Sequence, residues 1–187
     1  MKFENIELEG IDAKGKTHNI KLADLKGKNI ILYFYPQDET PICTKEAEHF
    51  RDAMSKLPKD TVIIGVSPDN IESHKQFLQR HDLNFSILSD AEQKLARAFK
   101  NIKENVQEKT EEIQKNIGKT ANKIKEKIQD KKVEMKKKQM QMEVENNPIT
   151  MRSTFIIGKD GKLVKEMRDI DIKGHVDEVI EFVKNLK

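Results

Sequence analysis

Tryptophan is absent from the 187 residues, cysteine occurs once, and no apolar run approaches the roughly 18 residues that a membrane-spanning helix needs. Each absence excludes something. A single cysteine rules out an internal disulfide and a Cys-x-x-Cys redox pair, and it fits a reducing compartment. No Cys/His cluster has metal-ligand spacing. Residues 1–20 are charged and lack the apolar core of a signal peptide, so a cytoplasmic location is expected. With 35 basic and 32 acidic residues, the net charge of +3 is too balanced to imply nucleic acid, and no basic, aromatic-interleaved motif occurs. The glycine- and lysine-containing run Gly158–Lys162 is a hairpin turn rather than a phosphate-binding loop. The charged fraction of 36% is well above the ordinary quarter, so some part of the chain must be almost wholly polar.

The most informative stretch runs from Asn29 to Leu57 and holds the lone Cys43. Ile30–Tyr35 is short, β-branched and aromatic and stops at Pro36, as a strand buried on both faces would. After the polar turn Gln37–Glu39, Thr40-Pro41 predicts a helix start, with the threonine hydroxyl accepting from first-turn amides and proline at the first helical position. Cys43 is then the third helical residue. Ala47, Phe50, Met54 and Leu57 follow at helical spacing and place the sulfur on the inward face. The amides left unpaired at a helix start and the positive end of the helix dipole there favour negative charge, hence the reactive thiolate. A lone cysteine on an apolar helix face is ordinarily a packing residue. Pro36, Thr40 and Pro41 around it argue for more.

Tyr33-Phe34-Tyr35-Pro36, Asp38-Glu39-Thr40-Pro41, Cys43-Thr44-Lys45-Glu46-Ala47 and Phe50-Arg51-Asp52 together resemble the active-site segment of the peroxiredoxins, in particular their bacterioferritin-comigratory or Q-type branch. The Pro-x-x-x-Thr-x-x-Cys motif is met by Pro36, Thr40 and Cys43. The resemblance implies an α/β, thioredoxin-like fold with a central mixed β-sheet flanked by helices, and it covers about residues 1–100 and 148–187.

The rest of that domain reads in order as follows. Ile6–Leu8 and Ile20–Leu22 form a hairpin around Asp12–Lys16. Thr61–Ser67 is a second buried strand, and Pro68-Asp69-Asn70 opens a helix over Ile71–His81. Strand, helix, strand, helix predicts parallel pairing through a right-handed crossover, with function at the carboxyl ends of the strands, where Cys43 lies. Ser86–Asp90 is a short strand or turn, Ala91–Phe99 a helix, Ile149–Ile157 a strand, Leu163–Met167 its antiparallel return, and Lys173–Leu186 a helix covering one sheet face.

Residues 101–147 depart from the family pattern. They contain no aromatic residue and are dominated by lysine, glutamate, glutamine and asparagine, yet Ile102, Val106, Ile113, Ile117, Ala121, Ile124 and Ile128 trace one helical stripe. Gly118 interrupts it. A continuous helix from Ala91 to about Lys138 would extend roughly 70 Å. Its stripe needs a partner: a second copy in a coiled coil, its own chain folded back near Gly118 or Asp130-Lys131, or a membrane surface. The remaining alternative is a solvated charge run.

The chemistry that the resemblance implies is thiol-dependent reduction of hydrogen peroxide or organic hydroperoxides at Cys43 through a sulfenic acid. Thr40 would hydrogen-bond the bound oxygen, Pro36 would shield the sulfur, and Arg152, matching the family's strand-start arginine, would hold the thiolate and peroxide. No metal or organic cofactor is needed. The place five residues after Cys43, where many relatives carry a resolving cysteine, is Glu48, so an external thiol is required: glutathione, another small thiol or a thioredoxin-like protein. A cysteine–histidine hydrolase is disfavoured because His49 lies roughly 240° around the helix from the sulfur. The competing class is a peroxiredoxin-like scaffold whose insertion mediates assembly or membrane binding.

Overall fold

The computed structural model describes residues 3–99, 152–168 and 174–186. The chain divides into two units, Met1–Leu95 with Thr150–Lys187 and Ala96–Ile149; of the second only residues 96–99 are described. The helical stripe expected over 101–147, with its coiled-coil and membrane alternatives, lies outside the described residues.

Among the described residues seven strands form one mixed sheet in the order β2-β1-β5-β4-β3-β6-β7. β1 (Glu7–Ile11) and β2 (Thr17–Lys21) are the expected hairpin. Its turn is held by Asp12, whose carboxylate accepts from the amides of Lys14 and Lys16. β3 (Asn29–Phe34) is buried along its whole length because it is central. It pairs in parallel with β4 (Thr61–Ser67) on one side and antiparallel with β6 (Ser153–Ile157) on the other. β4 pairs in parallel with β5 (Ser86–Ser89), and β7 (Leu163–Arg168) closes the far edge. Two sides occupied by neighbours and two faces covered explain why β3 is a continuous apolar run rather than an alternating one.

α1 (Pro41–Ala53) follows β3, and α2 (Ile71–Arg80) follows β4. Asn70 caps α2 by accepting from the Ser73 amide at 2.9 Å. Residues 94–99 are helical and are α3; α4 is His175–Lys184. Phe50 of α1, Phe77 of α2 and Val179 of α4 are fully buried and share one core with Ile31, Tyr33 and Ile63 of the sheet. The Tyr33 ring stacks on Phe50 with centroids 4.7 Å apart, locking α1 onto the strand that precedes it.

The structure moves several expected boundaries. The helix predicted from Ala91 begins at residue 94, because Gln93 adopts a left-handed conformation (φ 54°) and its amide turns back to the Asp90 carbonyl at 2.7 Å. Asp90 then accepts from the Leu95 amide and starts the helix there. α2 ends at Arg80, with His81 as its C-terminal cap. The last strand pair and the last helix form as expected, but β6 begins only at Ser153 and α4 ends at Lys184; residues 149–151 and 173 lie outside the described residues.

Candidate active site

Cys43 is the third residue of α1, and 1% of its surface is exposed. Ala47 and Phe50, one and two turns on, are fully buried, so the inward face read from the spacing is the inward face of the helix. Because β3 is parallel to β4, the helix that follows it starts above the carboxyl end of the strand and lifts the sulfur there.

Arg152 reaches the same end by a different route. Its residue number is 109 away from Cys43, but β6 runs antiparallel to β3 with Ser153 opposite Phe34. The residue just before Ser153 therefore lies beside the point where β3 turns toward α1. Its guanidinium nitrogens lie 3.5 and 3.7 Å from Cys43 Sγ, each in hydrogen-bonding geometry. A fixed, planar cation with several donors at this distance stabilises negative charge on sulfur and leaves donors for a second anion or oxygen.

Thr40 occupies the cap position of α1, with the extended backbone of a cap. Its hydroxyl does not cap the helix, contrary to the expectation from Thr40-Pro41. It is turned back toward the Gln37 carbonyl, to which it donates at 3.3 Å, and the Thr40 carbonyl accepts from the Thr44 amide. The local bond to the Gln37 carbonyl fixes where the hydroxyl points, and in that orientation its oxygen accepts from no first-turn amide. The first-turn amides of Ile42 and Cys43 are thus left free of that side chain, beside the sulfur. Pro36 is half-buried in the bend directly after β3. The structure thus brings Cys43 and Arg152 into contact and sets Thr40 and Pro36 in the connecting turn.

Glu46, one turn after Cys43 on the same face, was quoted in the motif but given no role by sequence reasoning. It is 1% exposed, and its carboxylate lies 3.6 Å from Arg152 Nη1 without a hydrogen bond to either oxygen. Burial pushes its carboxyl up to about 7, with the Arg152 charge pulling the other way. Arg152 therefore serves two acids, the thiol and this carboxyl. The spacing of three from Cys43 was the available signal, since it puts Glu46 on the buried stripe.

A second group missed from sequence surrounds Asp38, which is buried in the same turn. Asp38 accepts from the Tyr35 hydroxyl at 2.7 Å and the Ser73 hydroxyl at 2.7 Å, and faces His74 Nδ1 at 2.8 Å. Burial would raise its carboxyl, but the His74 hydrogen bond and charge, with Ser73 and Tyr35, outweigh it and hold it below the usual carboxylate range. His74 had no motif to flag it. Its signal was the spacing to Phe77 and Leu78, which marks a buried helix position.

Among the described residues no group of three or more His, Cys, Asp or Glu side chains could hold a metal ion, and no helix is long and apolar enough to cross a membrane. A cavity of about 430 Å³ opens at the opposite ends of the parallel strands, against Ile20, Met54, Thr61 and Phe85, and takes in none of the residues around Cys43.

Similarity to known proteins adds to this geometry. The AhpC/TSA family profile matches residues 2–166. Peroxiredoxin Bcp of Bacillus subtilis is 40% identical over 186 residues, covering 99% of this chain and 94% of the relative. The chain belongs to this family. It is a peroxiredoxin, a thiol peroxidase of the thioredoxin fold, with one cysteine. The chloroplastic peroxiredoxin Q of Triticum aestivum is 46% identical over 87 residues, 46% of this chain and 39% of that protein. The fold matches the bacterioferritin comigratory protein of Xanthomonas campestris at a TM-score of 0.66 and 24% identity, covering 97% of this chain and 92% of that one. These relatives favour the enzyme over the scaffold.

Proposed function

We propose that Cys43 is the residue that attacks peroxide, with Arg152 as its electrostatic partner and Thr40 and Pro36 shaping the approach. The observation that carries this is the Arg152 guanidinium 3.5 and 3.7 Å from a buried sulfur at a helix start. The thiolate attacks one peroxide oxygen. The new S–O bond forms as the O–O bond breaks, the electron pair leaves on the distal oxygen, and that oxygen takes up a proton to depart as water or an alcohol. The sulfur, oxidised by two electrons, becomes a sulfenic acid. Arg152 and the first-turn amides stabilise the charge spread over the reacting oxygens. Thr40 donates to or accepts from the bound peroxide after exchanging its Gln37 partner, and Pro36 limits water at the sulfur.

Reduction follows from cysteine count. With Glu48 at the place of a resolving cysteine, an external thiol attacks the sulfenic sulfur, releases water and forms a mixed disulfide that a second thiol reduces. Glutathione, another small thiol or a thioredoxin-like protein fits this step. Residues 101–147 form an insertion in the 1–100 and 148–187 domain, with self-association favoured over membrane-surface contact, and the chain acts in a reducing, cytoplasmic setting without nucleic acid.

The test is a slight excess of hydrogen peroxide added to reduced protein and to Cys43→Ser, followed by stopped flow and intact mass. Rapid loss of one equivalent with the gain of one oxygen, absent from the variant, is the expected outcome. Consumption no faster than a free thiol, with organic hydroperoxides tried as well, would refute the assignment.

A further inference from the structure

Asp38 lies between Pro36 and Thr40, yet its bonds lead away from α1 to two other parts of the chain. Its carboxylate takes the Tyr35 hydroxyl from the end of β3, and the Ser73 hydroxyl and His74 Nδ1 from the first turn of α2. Its amide donates to the Asp69 carboxylate at 2.8 Å, and Ser67 holds that carboxylate in turn at 2.8 Å. The turn that carries Pro36 and Thr40 is therefore anchored through Asp38 to the entrance of α2, besides the Thr40 carbonyl bond to the Thr44 amide of α1 and the Glu39 pairs with Arg80 and His81 at the end of α2.

His74 is the costly member of this group. It is fully buried and its Nε2 has no hydrogen-bond partner, a penalty that an aliphatic residue beside Phe77 and Leu78 would not carry. What imidazole supplies is a proton on Nδ1, aimed at an acceptor-only carboxylate. A local loss of stability beside a reactive turn points to a positioning role.

Building on the assignment of Cys43 above, we propose that His74, acting through Asp38, is a positioning residue for peroxide reduction. It holds the Pro36–Thr40 turn in the geometry in which the peroxide oxygens meet the sulfur. α2 thus sets the shape of a site whose reacting groups come from α1 and the start of β6.

The test compares full-length wild type, His74→Leu, His74→Asn and Ser73→Ala in two reactions of Cys43. One is with hydrogen peroxide, which needs the turn in place; the other is alkylation by iodoacetamide, which does not. His74→Leu, its fold checked by circular dichroism, should lose about 100-fold in the peroxide rate constant. Its alkylation should be unchanged or faster. His74→Asn, whose amide nitrogen stands near the Nδ1 position and donates to Asp38, should recover to within about tenfold of wild type. A folded His74→Leu that reduces peroxide at the wild-type rate, or that loses both reactions in equal proportion, would overturn the proposal. Should His74→Leu not fold, Ser73→Ala removes one donor to the same oxygen at the helix entrance. A drop of about threefold confined to peroxide supports the proposal, and an unchanged rate overturns it. Wild type without Cys43-dependent peroxide loss would overturn the Cys43 assignment and this proposal together, whereas normal wild type with unaffected variants overturns this proposal alone.

Discussion

Glu46 shows how a single side chain sets a pH response. Burial raises its carboxyl from 4.5 to about 7, so between these values the folded chain holds a proton that the unfolded chain has released. Stability therefore falls as pH rises from 4.5 towards 7, and above that the charged carboxylate weighs against folding by roughly 3 kcal/mol. Glu46→Gln should remove this dependence: urea denaturation should show a gain over wild type at pH 8 that vanishes by pH 4. Arg152 makes the opposite case. Arg152→Lys keeps the charge but loses the planar fork that reaches sulfur and carboxylate at once. We expect the peroxide rate constant to fall about tenfold in Arg152→Lys and about 100-fold or more in Arg152→Ala, measured by stopped flow. An unchanged Arg152→Ala would remove the guanidinium from the chemistry.

At the scale of elements, the site depends on how two helices begin. α1 starts without a side-chain cap, which leaves its amides facing the sulfur. α2 starts with one, Asn70 on the Ser73 amide, immediately before the residues that hold Asp38. Asn70→Ala should cost about 1 kcal/mol, read as a lower melting temperature. The elements themselves were largely legible from sequence. The buried run of β3, the Pro41 start of α1 and the limits of β4 follow from apolar pattern and proline chemistry, which act over a few residues. The late start of α3 was not legible, because the left-handed Gln93 is held by a backbone bond to Asp90 and no residue type announces it.

For the whole molecule, one cysteine dictates the logic of turnover. Given one equivalent of peroxide and no added thiol, the chain should consume it once, without catalytic turnover, and dithiothreitol should restore the reduced mass. Excess peroxide without thiol should carry Cys43 on to sulfinic acid, seen as a gain of two oxygens by intact mass. A chain that turns over repeatedly with no thiol present would contradict the external-reductant scheme. Replacing residues 101–147 with a short flexible linker should leave the peroxide rate constant within about threefold, since the reacting groups lie outside that segment.

Sequence alone determined the candidate nucleophile, the helix that carries it and the lack of a second, resolving cysteine, because each rests on residue identity or on spacing within one element. The tertiary structure decided what surrounds the sulfur. Arg152 comes into contact because β6 pairs antiparallel with β3, Glu46 acquires its raised carboxyl because the fold buries it beside that arginine, and Asp38 meets His74 because β4 places α2 against the turn. These are long-range encounters, and their energies depend on distance and burial that only the packed sheet and helices supply.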